Sequence, residues 1–111
     1  MKPFSIVTRG RRKRLLLPGV LDALTAEPLK ATLLPLLSAG EPFIVDGREV
    51  ERAATGPLQI LVAAARDLAA TGREMMMSDP SPTLRSALAE LGLTSELDKW
   101  VSANEKMRPH S

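Results

Sequence analysis

The chain has 111 residues, of which 44% are apolar and 25% charged, enough for one soluble globular domain with a real core and too few for two. The absence of cysteine excludes disulfides, thiolate metal sites and thiol nucleophiles, and a single histidine, His110, leaves no basis for histidine catalysis. The formal charge is only +2, yet Arg9, Arg11, Arg12, Lys13 and Arg14 gather a third of the fifteen basic residues into one short stretch.

In chain order, Phe4 to Thr8 is predicted as a first strand, with β-branched Ile6, Val7 and Thr8. Arg9-Gly10-Arg11 supplies a turn, and a second strand follows over about Lys13 to Leu17, ending at Pro18-Gly19. Strands this close in sequence form an antiparallel hairpin, with the basic cluster at its tip and flank. Thr25 is placed to cap a helix from Ala26, where Pro28 is tolerated in the first turn. Leu29, Leu33, Leu36 and Leu37 give that helix an apolar face. Pro35 should kink it or loosen its last turn, and Gly40 should end it.

A third strand is predicted over Phe43 to Asp46, then a polar loop and a helix from about Pro57 to Thr71. Leu58, Leu61, Val62, Ala65 and Leu68 mark the inward face of this helix, and Gly72 its left-handed stop. Met75-Met76-Met77 is short enough for a buried fourth strand. Ser81-Pro82 is a cap followed by proline at the first helical position, opening a helix with Leu84, Leu88 and Leu91 inward and Gly92 at its end. Ser95-Glu96-Leu97-Asp98 resembles a capping box for a last helix, which carries Leu97, Trp100 and Val101 on one face. From Asn104 onward a polar, frayed tail is expected. The order β-β-α-β-α-β-α-α implies an α/β fold with a mainly parallel sheet and one antiparallel edge.

These pieces together resemble a STAS domain, the sulphate-transporter and anti-sigma-factor-antagonist domain. The matching residues are Leu17-Pro18-Gly19-Val20-Leu21-Asp22 with Thr25-Ala26, the strand end Val45-Asp46, the segment from Val50 to Leu61, and Ser81 leading to Leu91-Gly92-Leu93. The resemblance implies a mixed sheet of four to five strands with an N-terminal antiparallel hairpin edge and about four helices. Residues 1–103 would form the single domain and 104–111 a flexible tail. Signalling members of the family carry an Asp-Ser or Asp-Thr pair at the start of the helix after the third strand, and a dedicated kinase phosphorylates the hydroxyl. Here Thr55 holds the phosphoacceptor position, and Ala54 stands where the acidic residue would be.

By this likeness the chain is a cytoplasmic, non-enzymatic interaction module of bacterial regulation. It would be a stand-alone anti-sigma-factor-antagonist-like protein or a chemotaxis accessory, or alternatively a subunit bound to the ATPase of a lipid or solute ABC transporter. Its partner would be a serine/threonine kinase of the anti-sigma type or another signalling protein, with oligomeric state left open. The partner surface is expected over Ala54, Thr55, Gly56, Pro57 and Gln59, with Asp46, Asp79 and Ser81 near by. Thr55 reads either as a helix N-cap, worth about 1 kcal/mol, or as a hydroxyl that a partner or kinase recognises.

Other constellations have plainer readings. Asp46 and Asp79 follow parallel strands and should sit near Thr55, but the companion acids and lysine of a Mg²⁺-dependent phosphoreceiver are missing, so both are expected to end strands or turns. The arginine cluster lies apart from Phe4, Phe43 and Trp100 as a stacking set, so no nucleic-acid partner is expected, and its charge serves to discourage edge-to-edge pairing. Trp100 is a core residue or a partner anchor. Apolar runs such as Leu33 to Leu37 fall far short of the roughly 20 residues of a membrane span, and no signal core opens the chain, so no membrane insertion is expected. No nucleophile–base set and no glycine-rich phosphate loop follows a strand, and no cofactor or metal is implied.

Overall fold

The computed structural model describes residues 4–9 and 12–107. The expected Gly10-Arg11 turn and the last four residues, His110 among them, lie outside the described residues.

Strands β1 (Ser5–Arg9) and β2 (Arg12–Leu16) pair antiparallel, with Val7 opposite Arg14. Strand β4 (Phe43–Asp46) joins β2 in parallel, and β6 (Met76–Ser78) joins β4 in parallel, giving the order β1-β2-β4-β6. The hairpin therefore forms one edge, as the element order implies. Two further strands escape sequence reading: β3 (Val20–Leu21) and β5 (Arg52–Ala53), two residues each, paired in parallel as a separate ribbon. Runs this short carry no alternation from which to infer a strand.

The alternation of side chains along the sheet separates two faces. Leu15, Leu17, Phe43, Val45, Met75 and Met77 enter the main core. Helices α1 (Ala26–Ala39) and α2 (Thr55–Ala70) cover that face through Leu29, Leu33 and Leu36 and through Leu58, Leu61, Val62 and Leu68. Helix α3 (Pro82–Glu90) adds Leu84 and Leu88. Helix α4 (Thr94–Met107) lies along β6, sending Leu97 and Trp100 to the main core, while Ala103 meets Ile44 and Met76 in a second, smaller cluster. Trp100 is thus a core residue.

Several local expectations are revised. Thr25 makes no side-chain cap to α1; it completes a capping box with Asp22 around the 3-10 turn Ala23–Thr25 that leads into the helix. Helix α1 runs uninterrupted through Pro35, which is exposed, because Leu33 and Leu36 on the buried face hold the chain helical despite the lost N–H. Gly40 ends it at φ 72°. The guanidinium of Arg73 donates from Nη2 to the Leu37 carbonyl at 3.0 Å, a cation at the negative end of α1. Helix α2 ends in a Schellman motif: Gly72 N–H bonds the Ala69 carbonyl at 3.0 Å and Arg73 N–H the Leu68 carbonyl at 2.9 Å. Its inward face uses Ala64, with Ala65 only partly buried. Leu91, expected inward, is 38% exposed. Helix α4 starts at Thr94, one residue before the expected box at Ser95, and continues past Asn104, which is buried, to Met107.

Gly47 sets the spacing between the end of β4 and α3. A Cβ added there would stand 2.5 Å from Cδ2 of the fully buried Leu84 and 3.3 Å from the Pro80 Cα. Gly47→Ala should therefore lower stability by about 1–3 kcal/mol in urea unfolding, whereas Gly56→Ala, with open space around its Cβ, should cost less than about 1 kcal/mol.

Candidate functional site

The start of α2 is built by the loop that links β4 to it. Gly47 N–H bonds the Ser78 carbonyl at 3.1 Å, and the Gly47 carbonyl accepts from Ser81 N–H at 3.1 Å and Val50 N–H at 3.3 Å. The buried Ser81 hydroxyl donates to the Val50 carbonyl at 2.6 Å and accepts from Leu84 N–H at 3.1 Å, capping α3 and holding the loop at once. On the other side, Glu51 N–H (2.7 Å) and Arg52 N–H (3.0 Å) share the Gly19 carbonyl, and Ala54 N–H bonds the Leu21 carbonyl at 2.7 Å. The loop is thus tied to β3 on one flank and to α3 on the other.

Ala54, extended at φ −83° and ψ 160°, is the N-cap of α2 and supplies no side-chain hydrogen bond. Thr55 is the first helical residue, so the N-cap role expected for it falls to Ala54. Thr55, Gly56 and Gln59 are exposed, while Pro57 and Leu58 turn into the core. The helix terminus presents backbone N–H groups and partial positive charge with no carboxylate or hydroxyl cap from the preceding residue. An exposed hydroxyl on such a terminus can carry an added anion without strain on the helix.

Of the remaining site candidates, Ser81 and Pro57 are buried, and the Ser81 hydroxyl is committed on both sides, so these two position the surface rather than form it. Asp46 shares its face of the sheet with Ile44, opposite the face that α2 covers, so its carboxylate does not join Thr55. It is only 7% exposed and takes a hydrogen bond from Arg14 Nη1 at 3.1 Å, with Arg48 Nη2 at 3.5 Å. Its Oδ1 also accepts from Arg48 N–H at 3.0 Å, so Asp46 does end the strand in a turn. Arg14 Nη1 further donates to Ser78 Oγ at 2.6 Å. Arg48 then bridges to Asp79 at 3.1 Å, and Asp79 occupies the left-handed turn conformation at φ 47°.

This arginine-bridged acidic pair was not legible as such. Arg14 belongs by sequence to a basic run, and only its alternation with Leu15 hints that it faces away from the main core. No group of acids or histidines able to hold a metal ion occurs among the described residues, and no described helix is long and apolar enough to cross a membrane.

A model of the family described as "Mlab, STAS domain" matches residues 4–99. No curated protein matches the chain. Among solved structures, the anti-sigma factor antagonist SpoIIAA in its unphosphorylated form superposes with a TM-score of 0.70 at 21% identity, over 83% of each chain. The Bacillus cell fate determinant SpoIIAA in the phosphorylated form superposes with a TM-score of 0.69 at 20% identity, over 95% of this chain and 99% of that one. At such identities the likeness establishes the fold.

The Arg14–Asp46 contact carries a stability test. Arg14→Met leaves a largely buried carboxylate with only the longer Arg48 contact and should cost about 2 kcal/mol in urea unfolding; adding Asp46→Asn should restore most of that loss.

Proposed function

The chain belongs to the STAS domain family, and on that premise we propose that it is a non-enzymatic protein-interaction module of bacterial signalling that docks through the first turn of α2. The observation that carries the reading is Thr55 itself: an exposed hydroxyl at the first position of a sixteen-residue helix, on a loop tied by main-chain hydrogen bonds to β3 and α3. A partner meeting this terminus finds a rigid surface, so little ordering entropy opposes binding. Ala54, Gly56 and Gln59 complete the exposed part.

Phosphorylation of Thr55 fits the same geometry. The phosphate would add about −1.5 to −2 charge where the helix terminus tolerates it, leaving the domain folded and changing the partner-facing surface. The chain superposes about equally well on the unphosphorylated and phosphorylated forms of SpoIIAA, which supports a switch that acts at the surface without refolding the domain. The partner of this reading is a serine/threonine kinase of the anti-sigma type or another signalling protein, in an anti-sigma or chemotaxis setting in the cytoplasm.

Ala54 favours a second reading. With no carboxylate beside Thr55, a kinase loses an acidic determinant, whereas constitutive docking to the ATPase of a lipid or solute ABC transporter needs none. Affinity purification of wild type, Thr55→Ala and Thr55→Glu, with phosphate at Thr55 read by mass spectrometry, separates the two. The switch reading expects wild type and Thr55→Ala to retain a common partner that Thr55→Glu binds about tenfold or more weakly. Equal partner binding by all three proteins, with Thr55 unmodified, would contradict it and leave constitutive docking.

A further inference from the structure

The face of the sheet turned away from α1 and α2 is only partly covered. Ala103 of α4 closes it over Ile44 and Met76, and beyond lies a trough of about 950 Å³ running from Val7 on β1 to Asn104 on α4. We propose that this trough is a second docking site, for an acidic, extended peptide segment of a protein partner, distinct from the α2 terminus.

Three observations point to that occupant. The first is charge. Arg12 and Arg14 enter from β2, Arg48 from the loop after β4 and Arg85 from α3. The acids lining the trough are Asp46, Asp79 and Glu105, and of these Asp46 and Asp79 are already bridged by arginine. With Lys13 also on the lining, five cations stand against three carboxylates, so the surplus is positive, and Arg85 is exposed with no ion pair among the described residues. The cations stand on three elements around the rim rather than at one focus. A compact anion would find no convergent set of donors, and a continuous line of phosphates would meet the interspersed carboxylates; spaced carboxylates on a flexible chain fit between them.

The second observation is Asn104. It is 7% exposed, lines the trough, and its side chain makes no hydrogen bond among the described residues. Its amide is therefore open to a ligand in the trough rather than committed inside the domain. A carboxamide offers one donor group and one acceptor, which match the C=O and N–H of a peptide unit. The third is the floor: Ile44 and the 42% exposed Val7 give apolar contact between the charged positions, suited to the alternate side chains of an extended segment.

Arg14 holds its guanidinium in place through Asp46 and Ser78 before any ligand arrives. The trough is therefore pre-organised, with Arg85 and Asn104 as the groups left free to bind.

Fluorescence anisotropy with a labelled peptide alternating Glu and Val, at low ionic strength, tests the proposal on the full chain. Saturable binding that weakens with salt is expected, together with no binding of a matching Lys and Val peptide. Arg85→Glu, on an exposed position, and Asn104→Leu, close in volume, should each weaken binding about tenfold while the thermal melt still shows a folded protein. Thr55→Glu should leave peptide affinity unchanged, so that failure here and failure of the α2 docking surface remain distinguishable. The proposal is overturned if the Glu and Val peptide does not bind the wild type, or if both trough variants bind it as tightly as wild type. It is also overturned if a random DNA duplex or inorganic phosphate displaces the peptide at concentrations comparable to its own.

Discussion

The site rests on the main-chain clamp between the loop that precedes α2 and the short strand β3. Two N–H groups, from Glu51 and Arg52, converge on the Gly19 carbonyl, and the Ala54 N–H reaches Leu21. These bonds convert a polar connection into a defined support, and the Ser81 hydroxyl, joined to Val50 and Leu84, fixes its other side. The close approach of Gly47 to Leu84 and Pro80 is what lets the two supports meet. Without the clamp, α2 would still form, since its apolar face drives it into the core, but the position of Thr55 would be set by helix packing alone.

The two faces of the sheet do different work because the side-chain period of a strand is two. One face carries the main apolar core, covered by α1 and α2. The other alternates apolar residues with Arg14, Asp46 and Ser78, a polar cluster paired within itself. Asp46 sits at the boundary: its carbonyl accepts from Leu17 N–H at 3.0 Å on the sheet side, while its carboxylate organises the arginines of the opposite face. The domain thus displays a helix N-terminus without a side-chain cap at one place and an arginine-lined trough at another.

Much of the frame could be read from residues. Phe43-Ile44-Val45-Asp46 gave its strand to the residue, Ser81-Pro82 gave the cap and first turn of α3, and Gly40, Gly72 and Gly92 all adopt the positive φ that ends their helices. These are local signals, in which one residue type satisfies one backbone requirement. What escaped is non-local. Strands β3 and β5 exist only because they pair with each other, and the Asp22–Thr25 box shifted a cap from one helix to the turn before it. Asn104 looked like the start of a tail because it is polar; packing of Ala103 against Ile44 and Met76 carried α4 past it. Thr55 was placed near the right end of the right helix, one position inside it, since an alanine N-cap has no side-chain signature.

The measurement that bears most directly on a clamped, pre-organised α2 terminus is residue-resolved native-state hydrogen exchange. The amides of Glu51, Arg52 and Ala54 should exchange with protection approaching that of the β4 core amides, because each is hydrogen-bonded across to the Gly19 or Leu21 carbonyl. Exchange of these amides at the rate of an unstructured peptide, with β4 still protected, would contradict the account.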